Sequence, residues 1–179
     1  LDVISNGRVD FGIGAGWLKK EFELFSLNWE PRKTRLERLK ESIKIIKALM
    51  SKDKVSFNGK YYSLKEAILN PKPIQKPHPP IWIGGNSKEV MEITAELGDG
   101  WIPEGLLPEK FAAGITFIKN KAKEFGCDSN KIFMAWGGSG IRNIITKDEA
   151  SAIKIAETIL GTLKSSPFTL NHWLSNSMS

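Results

Sequence analysis

Two glycine-rich corners in this chain have the residue types of a binding site for a bulky, anionic ligand. The first is Gly12-Ile-Gly14-Ala15-Gly16-Trp17, which follows the apolar positions Val9, Phe11 and Ile13. Glycines at alternate places let the backbone take positive φ and approach something bulky. The second corner is Gly84-Gly85-Asn86-Ser87, which follows Ile81-Trp-Ile83 and leads into a helical pattern. A Gly-Gly corner at a helix N-terminus offers free N–H groups and the positive end of the helix dipole, an arrangement that suits phosphate. Asn86 and Glu89 have the spacing of a capping box. The same glycines also serve a bare strand-to-helix turn, and that alternative stands beside the binding one.

The elements that must carry these corners are strands alternating with helices. Short apolar runs bounded by glycine predict buried strands at residues 8–13, 80–83, 98–102 and 132–136. The last of these ends in Gly137, Gly138 and Gly140, again a glycine loop. Pro31 opens a helix with Leu36, Leu39, Ile43, Ile46 and Leu49 at helical spacing. A second helix turns Val90, Ile93 and Leu97 inward and stops at Gly98. A third starts at Pro108, turns Phe111, Ile115, Ile118, Ala122 and Phe125 inward and stops at Gly126. Thr146 and Glu149 read as the capping box of a last helix through about residue 160. Asn58-Gly59 between two alternating runs predicts a hairpin over residues 54–64. Pro71, Pro73, Pro77, Pro79 and Pro80 make a stiff extended connector. Strands spaced by helices predict parallel pairing through right-handed crossovers, so the fold class is α/β. The chain reads as a single domain over residues 1–179, with a tail from 165 that has no period and could fray. Residues 1–7 have the pattern of a last helical turn and its glycine stop, and a domain seldom starts there, so the chain is expected to be incomplete.

Other residues invite roles. Phe22, Leu24, Phe25, Leu27 and Trp29 follow no single period and are expected to cover the mouth of a site or pack beneath it. Arg32, Arg35 and Arg38 share a helix face near Glu37 and Glu41, which reads first as an exposed salt-bridged face and second as an anion contact. His78 between prolines is expected to be structural or exposed. Asp99 is expected to tie down its own turn, and Glu21 is a lone carboxylate. With two histidines and one cysteine, no metal-ligand spacing occurs. Cys127 reads as a plain loop thiol, and a single cysteine fits a reducing cytoplasm. The net charge is +6 with pI about 9.4. The charges are spread, so a solvated lysine-rich surface is expected and nucleic acid is not the expected partner. No apolar run has membrane-spanning length.

The chain resembles the bacterial luciferase-like family of flavin- or deazaflavin-dependent oxidoreductases. The resemblance rests on Leu1-Asp-Val-Ile-Ser-Asn-Gly-Arg8, Gly12-Ile-Gly-Ala-Gly-Trp17, Glu21-Phe22 and the helix from Arg35 to Glu41. It continues in Phe57-Asn-Gly-Lys-Tyr-Tyr62, in the proline-rich run from Pro71 into Ile81-Trp-Ile-Gly-Gly85, and in Gly98-Asp-Gly-Trp-Ile-Pro103. It is close over about residues 1–105 and loose beyond. It implies a partial (β/α)8 TIM barrel with about four parallel strands, the fourth to the seventh of eight, and one small hairpin insertion. A complete barrel takes about 250 residues. It implies FMN or a deazaflavin coenzyme, with the phosphate at Gly84, Gly85, Asn86 and Ser87 and the ring or ribityl part near Gly14, Ala15 and Gly16, beside Trp17. Trp17 stands where a sugar-phosphate-oxidising deazaflavin subgroup has a Glu, which argues against that subgroup. Trp101 and Trp136 are expected to pack in the core or wall an apolar pocket. Arg142 could meet an anionic substrate, though a solvated position is the plainer reading. The implied activity is hydride transfer or oxygen activation at the flavin ring on a small-molecule substrate, with the catalytic residues unassigned. A non-catalytic flavin- or phosphate-binding relic is the alternative. A partial barrel exposes sheet edges, so a homo-oligomer or association with a complementary barrel segment is expected.

Overall fold

A computed structural model describes residues 1–138, 141–146 and 154 of the chain. The elements are β1 (Phe11–Ile13), α1 (Lys19–Leu24), α2 (Arg32–Ser51), β2 (Val55–Asn58), β3 (Ser63–Ala67), β4 (Ile81–Gly84), α3 (Lys88–Leu97), β5 (Gly100–Ile102), α4 (Pro108–Glu124), a 3-10 turn (Ser129–Lys131), β6 (Phe133–Gly138) and β7 (Ile141–Thr146). One sheet has the order β1-β4-β5-β6-β7, and β2 pairs with β3 in a separate ribbon. The pairs β1–β4, β4–β5 and β5–β6 are parallel, as the strand–helix alternation requires. The fifth strand departs from expectation. β7 pairs antiparallel with β6, and Gly137 and Gly138, expected in a loop, belong to β6. The β-branched residues of β7 favour a strand, and Thr146, read from sequence as a helix cap, closes that strand. Glu149, the helix expected after it and the tail from 165 lie outside the described residues.

Period-two alternation divides the sheet into two faces. Ile13, Ile83, Trp101 and Met134 lie side by side on one face. The helices cover that face in two clusters. Leu36, Leu39 and Ile43 of α2 pack with Ile81, Ile83, Val90 and Ile93. Phe111, Ile115, Ile118 and Ala122 of α4 pack with Trp101, Met134 and Trp136. On the other face run Gly12, Trp82, Gly100 and Phe133. There the Trp82 ring lies over Gly100 and stacks on Phe133 at 6.0 Å, and its indole N–H donates to Asp10 at 3.1 Å.

Local differences from the sequence pattern have local causes. Pro31 is the N-cap of α2, one place earlier than expected, and Ile45 is buried alongside the predicted stripe. Phe125, expected inward, is exposed because α4 ends at Glu124 and the chain turns away at Gly126, φ +73. The hairpin forms, but four residues separate Asn58 from Ser63. Glu41 accepts hydrogen bonds from the N–H groups of Lys60, Tyr61 and Tyr62, which holds that wider turn against α2.

α4 approaches the sheet closely only because residue 114 is glycine. A Cβ there would collide with the ring of Trp101, which is fully buried. Alanine in a helix interior gains roughly 0.5–1 kcal/mol over glycine. Overpacking a rigid core costs roughly 1–3 kcal/mol. Gly114→Ala is therefore expected to be net destabilising, by about 1 kcal/mol, as a lowered midpoint in urea unfolding with unchanged slope.

Candidate functional site

The two glycine corners meet at one end of the sheet. Ile13 pairs with Ile83 in parallel register, so Gly14 and Gly84 leave adjacent strands side by side. They border a cleft of about 790 Å³ at the C-terminal ends of β1, β4 and β5. Gly12, Gly14, Ala15, Gly16, Trp17, Gly84, Gly85, Asn86 and Ser87 line it, together with Ile102, Glu104, Arg32 and Arg35. All seven candidate positions from the sequence are thus gathered in one place. This is the end of a parallel α/β sheet where ligands are bound.

The glycines of the cleft differ in what they do. Gly85 has φ +131, and a Cβ on it would sit 3.3 Å from the methyl groups of Val90, so glycine is required by the backbone itself. Gly12, Gly14 and Gly84 are different. A Cβ on Gly12 would meet nothing within 4 Å, on Gly14 only the Gly84 carbonyl oxygen at 3.6 Å, and on Gly84 nothing nearer than 3.8 Å. Neither backbone conformation nor packing within the described residues demands their smallness. Their bare surface is a floor from which side chains are withheld.

The helix N-terminus at the rim is built one residue later than the capping-box reading. Ser87, not Asn86, is the N-cap of α3, and its hydroxyl accepts from the Val90 N–H at 3.4 Å. Asn86 instead spans to the next corner. Its side-chain amide donates to the Glu104 carbonyl at 2.6 Å and accepts from the Glu104 N–H at 3.0 Å. Asn86 is a strut between the β4 and β5 corners, so the groups it leaves to a ligand are those of its backbone. Ahead of α3 the first-turn N–H groups have no partner within the helix. Beside them, Arg32 forms a two-pronged ion pair with Glu89 at 2.9 and 3.1 Å, which holds the Glu89 carboxyl down at about 2.

Arg32, Arg35 and Glu104 were not singled out for this cleft by sequence reading. Arg32 and Arg38 each pair with a carboxylate, Glu89 and Glu30, as a salt-bridged face would. Arg35 does not follow them. It donates to the carbonyls of Ala15, Gly16 and Glu30 and lies 3.8 Å over the Trp29 ring. Of the aromatic and apolar residues between α1 and α2, Phe22 and Trp29 meet edge to face at 5.0 Å. Leu24, Phe25 and Leu27 are exposed.

The remaining candidates lie elsewhere. Trp101 and Trp136 are core residues whose indole N–H groups donate to the carbonyls of Gly85 and Leu106. Asp99 sits at the opposite, N-terminal end of the sheet. It accepts from the Ile81 N–H and lies near Lys47 and His78, so it fixes the start of β4 rather than its own turn. Glu21 and Cys127 are exposed. The side chain of Arg142 falls outside what is described. Among the described residues no group of His, Cys, Asp and Glu could hold a metal ion, and no helix is long and apolar enough to cross a membrane.

Several known proteins are similar to this chain. An FMNH(2)-dependent dimethylsulfone monooxygenase of Pseudomonas putida is 31% identical over 126 residues, 70% of this chain and 35% of that protein. An F420-dependent glucose-6-phosphate dehydrogenase of Amycolatopsis mediterranei is 36% identical over 102 residues, 57% of this chain and 30% of that one. The solved structure of an F420-dependent secondary alcohol dehydrogenase in complex with an F420-acetone adduct matches with a TM-score of 0.67 at 26% identity, covering 74% of this chain and 40% of that one. The chain spans about a third of the length of the curated relatives it matches. Its four parallel strands and their helices are a portion of a TIM barrel. Residues 1–171 match the model of the luciferase-like monooxygenases, and the chain belongs to that family.

Proposed function

We propose that this chain forms one wall of the coenzyme site of a luciferase-like oxidoreductase that uses FMN or a deazaflavin. The observation that carries this reading is the bare floor at Gly12, Gly14 and Gly84, where no conformational or packing reason among the described residues excludes a side chain. A flat ring lying against the strand ends accounts for it. The phosphate belongs at Gly85, Asn86 and Ser87, where the positive end of α3 lies at the rim of the cleft. The ring or ribityl part belongs against Gly14, Ala15 and Gly16. Asn86 contributes through its backbone, because its amide is already engaged with Glu104.

Bound there, the coenzyme supplies hydride transfer or oxygen activation, and the protein supplies binding, orientation and electrostatics. Trp17, 79% exposed at the rim, presents an apolar face to a small-molecule substrate. Titration of the protein with FMN and with a deazaflavin, followed by coenzyme fluorescence, tests the reading. Saturable one-to-one binding of either is expected, and no saturation with both would overturn it.

β1 is an edge strand of the described sheet. Pairing along it extends the wall, either with a second copy or with a complementary barrel segment. Size-exclusion chromatography with light scattering is expected to give a mass that rises with concentration. A constant monomer mass at high concentration would count against association between copies.

A further inference from the structure

The segment between β1 and α2 closes a ring of contacts around the first glycine corner. Gly16, at φ +74, presses its backbone against Phe22, where an added Cβ would come within 2.7 Å of the ring. Phe22 meets Trp29 edge to face. Trp29 lies flat beneath the Arg35 guanidinium. Arg35 returns to the corner through the carbonyls of Ala15 and Gly16, and its Nε is fixed by the Glu30 carbonyl at 3.1 Å. A planar fork suits this task, because it can stack on one face while donating from its edge. Carbonyl oxygens carry partial negative charge. Arg35 gathers two of them to a cation, so the corner offers less repulsion to an anionic coenzyme.

Resting on the coenzyme reading above, we propose that Arg35, seated on Trp29, is a positioning residue that holds the Gly14–Gly16 corner in the shape the coenzyme needs. Phe22 and Trp29 are the seat of this clamp. Arg35 itself need not touch the coenzyme.

The test compares wild type, Arg35→Met and Arg35→Lys by amide hydrogen exchange without coenzyme and by titration with FMN and a deazaflavin. Charge-assisted hydrogen bonds are lost in Arg35→Met, so exchange over the corner and its seat, residues 14–27, where the Glu21, Phe25, Ser26 and Leu27 amides are hydrogen-bonded, is expected to quicken about tenfold or more. Segments from α4 and β6 should keep their wild-type rates, and coenzyme dissociation constants should rise about tenfold. Lysine keeps the charge but cannot stack and fork together. Arg35→Lys is expected to leave the corner's exchange fast. Unchanged exchange in Arg35→Met, or a rise spread evenly over the chain, would overturn the clamp. Full restoration by lysine would overturn it too, since charge alone would then suffice. If wild type binds and Arg35→Met binds equally well, the positioning role fails while the site stands. If wild type binds neither coenzyme although the exchange pattern is as expected, the functional reading fails and takes the coenzyme role of Arg35 with it.

Discussion

Trp101→Ala is expected to lower the stability of the fold by about 3–5 kcal/mol, as large-to-small changes of a buried Trp do. Trp101 is fully buried, stacks on Phe111 at 5.5 Å and lies directly beneath Gly114. α4 has been brought close by that glycine, so the walls of the cavity are backbone and large rings that cannot collapse cheaply. The loss is a large share of the roughly 5–15 kcal/mol that holds a typical domain folded. Urea unfolding measures it, and a change below about 1 kcal/mol would contradict this account of the core. Trp101 also reaches the site, because its indole N–H donates to the Gly85 carbonyl at 2.9 Å. Trp101→Phe removes that bond and keeps most of the ring. It is expected to cost about 1–3 kcal/mol, with a loss of coenzyme affinity that Gly114→Ala need not share. The floor of the second corner is therefore anchored in the helix-side core.

The framework was legible because its signals are local. Ile81-Trp-Ile83 and Phe11-Gly-Ile13 are short apolar runs stopped by glycine; the first is the look of a parallel strand buried on both faces, as β4 is, while β1 at the sheet edge is only half-buried. Val90, Ile93 and Gly98 mark α3 for the same reason. What failed depended on partners distant in sequence. Residues 137–146 have glycines followed by a capping-box pattern, yet pairing with β6 makes Ile141–Thr146 a strand. Asn86 fits a cap by spacing, but the β5 corner competes for its amide and Ser87 takes the cap. Arg35 sits in a row of three arginines with glutamates nearby, which is the look of a solvated face. Only the arrival of Ala15 and Gly16, some twenty residues away in the chain, separates it from Arg32 and Arg38. No local pattern encodes that difference.

Gly85→Asp is expected to weaken coenzyme binding about a hundredfold or more, since it combines a conformational penalty with a charge of the wrong sign. The conformational part is separable. At φ +131 an L side chain is strained, at a cost of roughly 1–3 kcal/mol, and its Cβ presses on Val90 at 3.3 Å. Gly85→Ala carries that part alone and is expected to weaken binding about tenfold, by moving the corner away from its wild-type shape. The aspartate adds a carboxylate at the position proposed for the coenzyme phosphate. Two unit charges about 4 Å apart near a protein surface repel by roughly 4 kcal/mol before salt screening. The same carboxylate at a helix N-terminus favours the free protein by roughly 0.3–1 kcal/mol. Gly85→Asp should therefore be no less stable than Gly85→Ala, so its extra loss of affinity cannot be charged to unfolding. Ionic strength separates the two causes, because screening shortens the reach of the charge and leaves strain untouched. The gap between the aspartate and alanine variants should narrow as salt is raised. If aspartate binds FMN and the deazaflavin no worse than alanine at low salt, the phosphate does not lie at this corner, and the cleft floor must receive its ligand from another side.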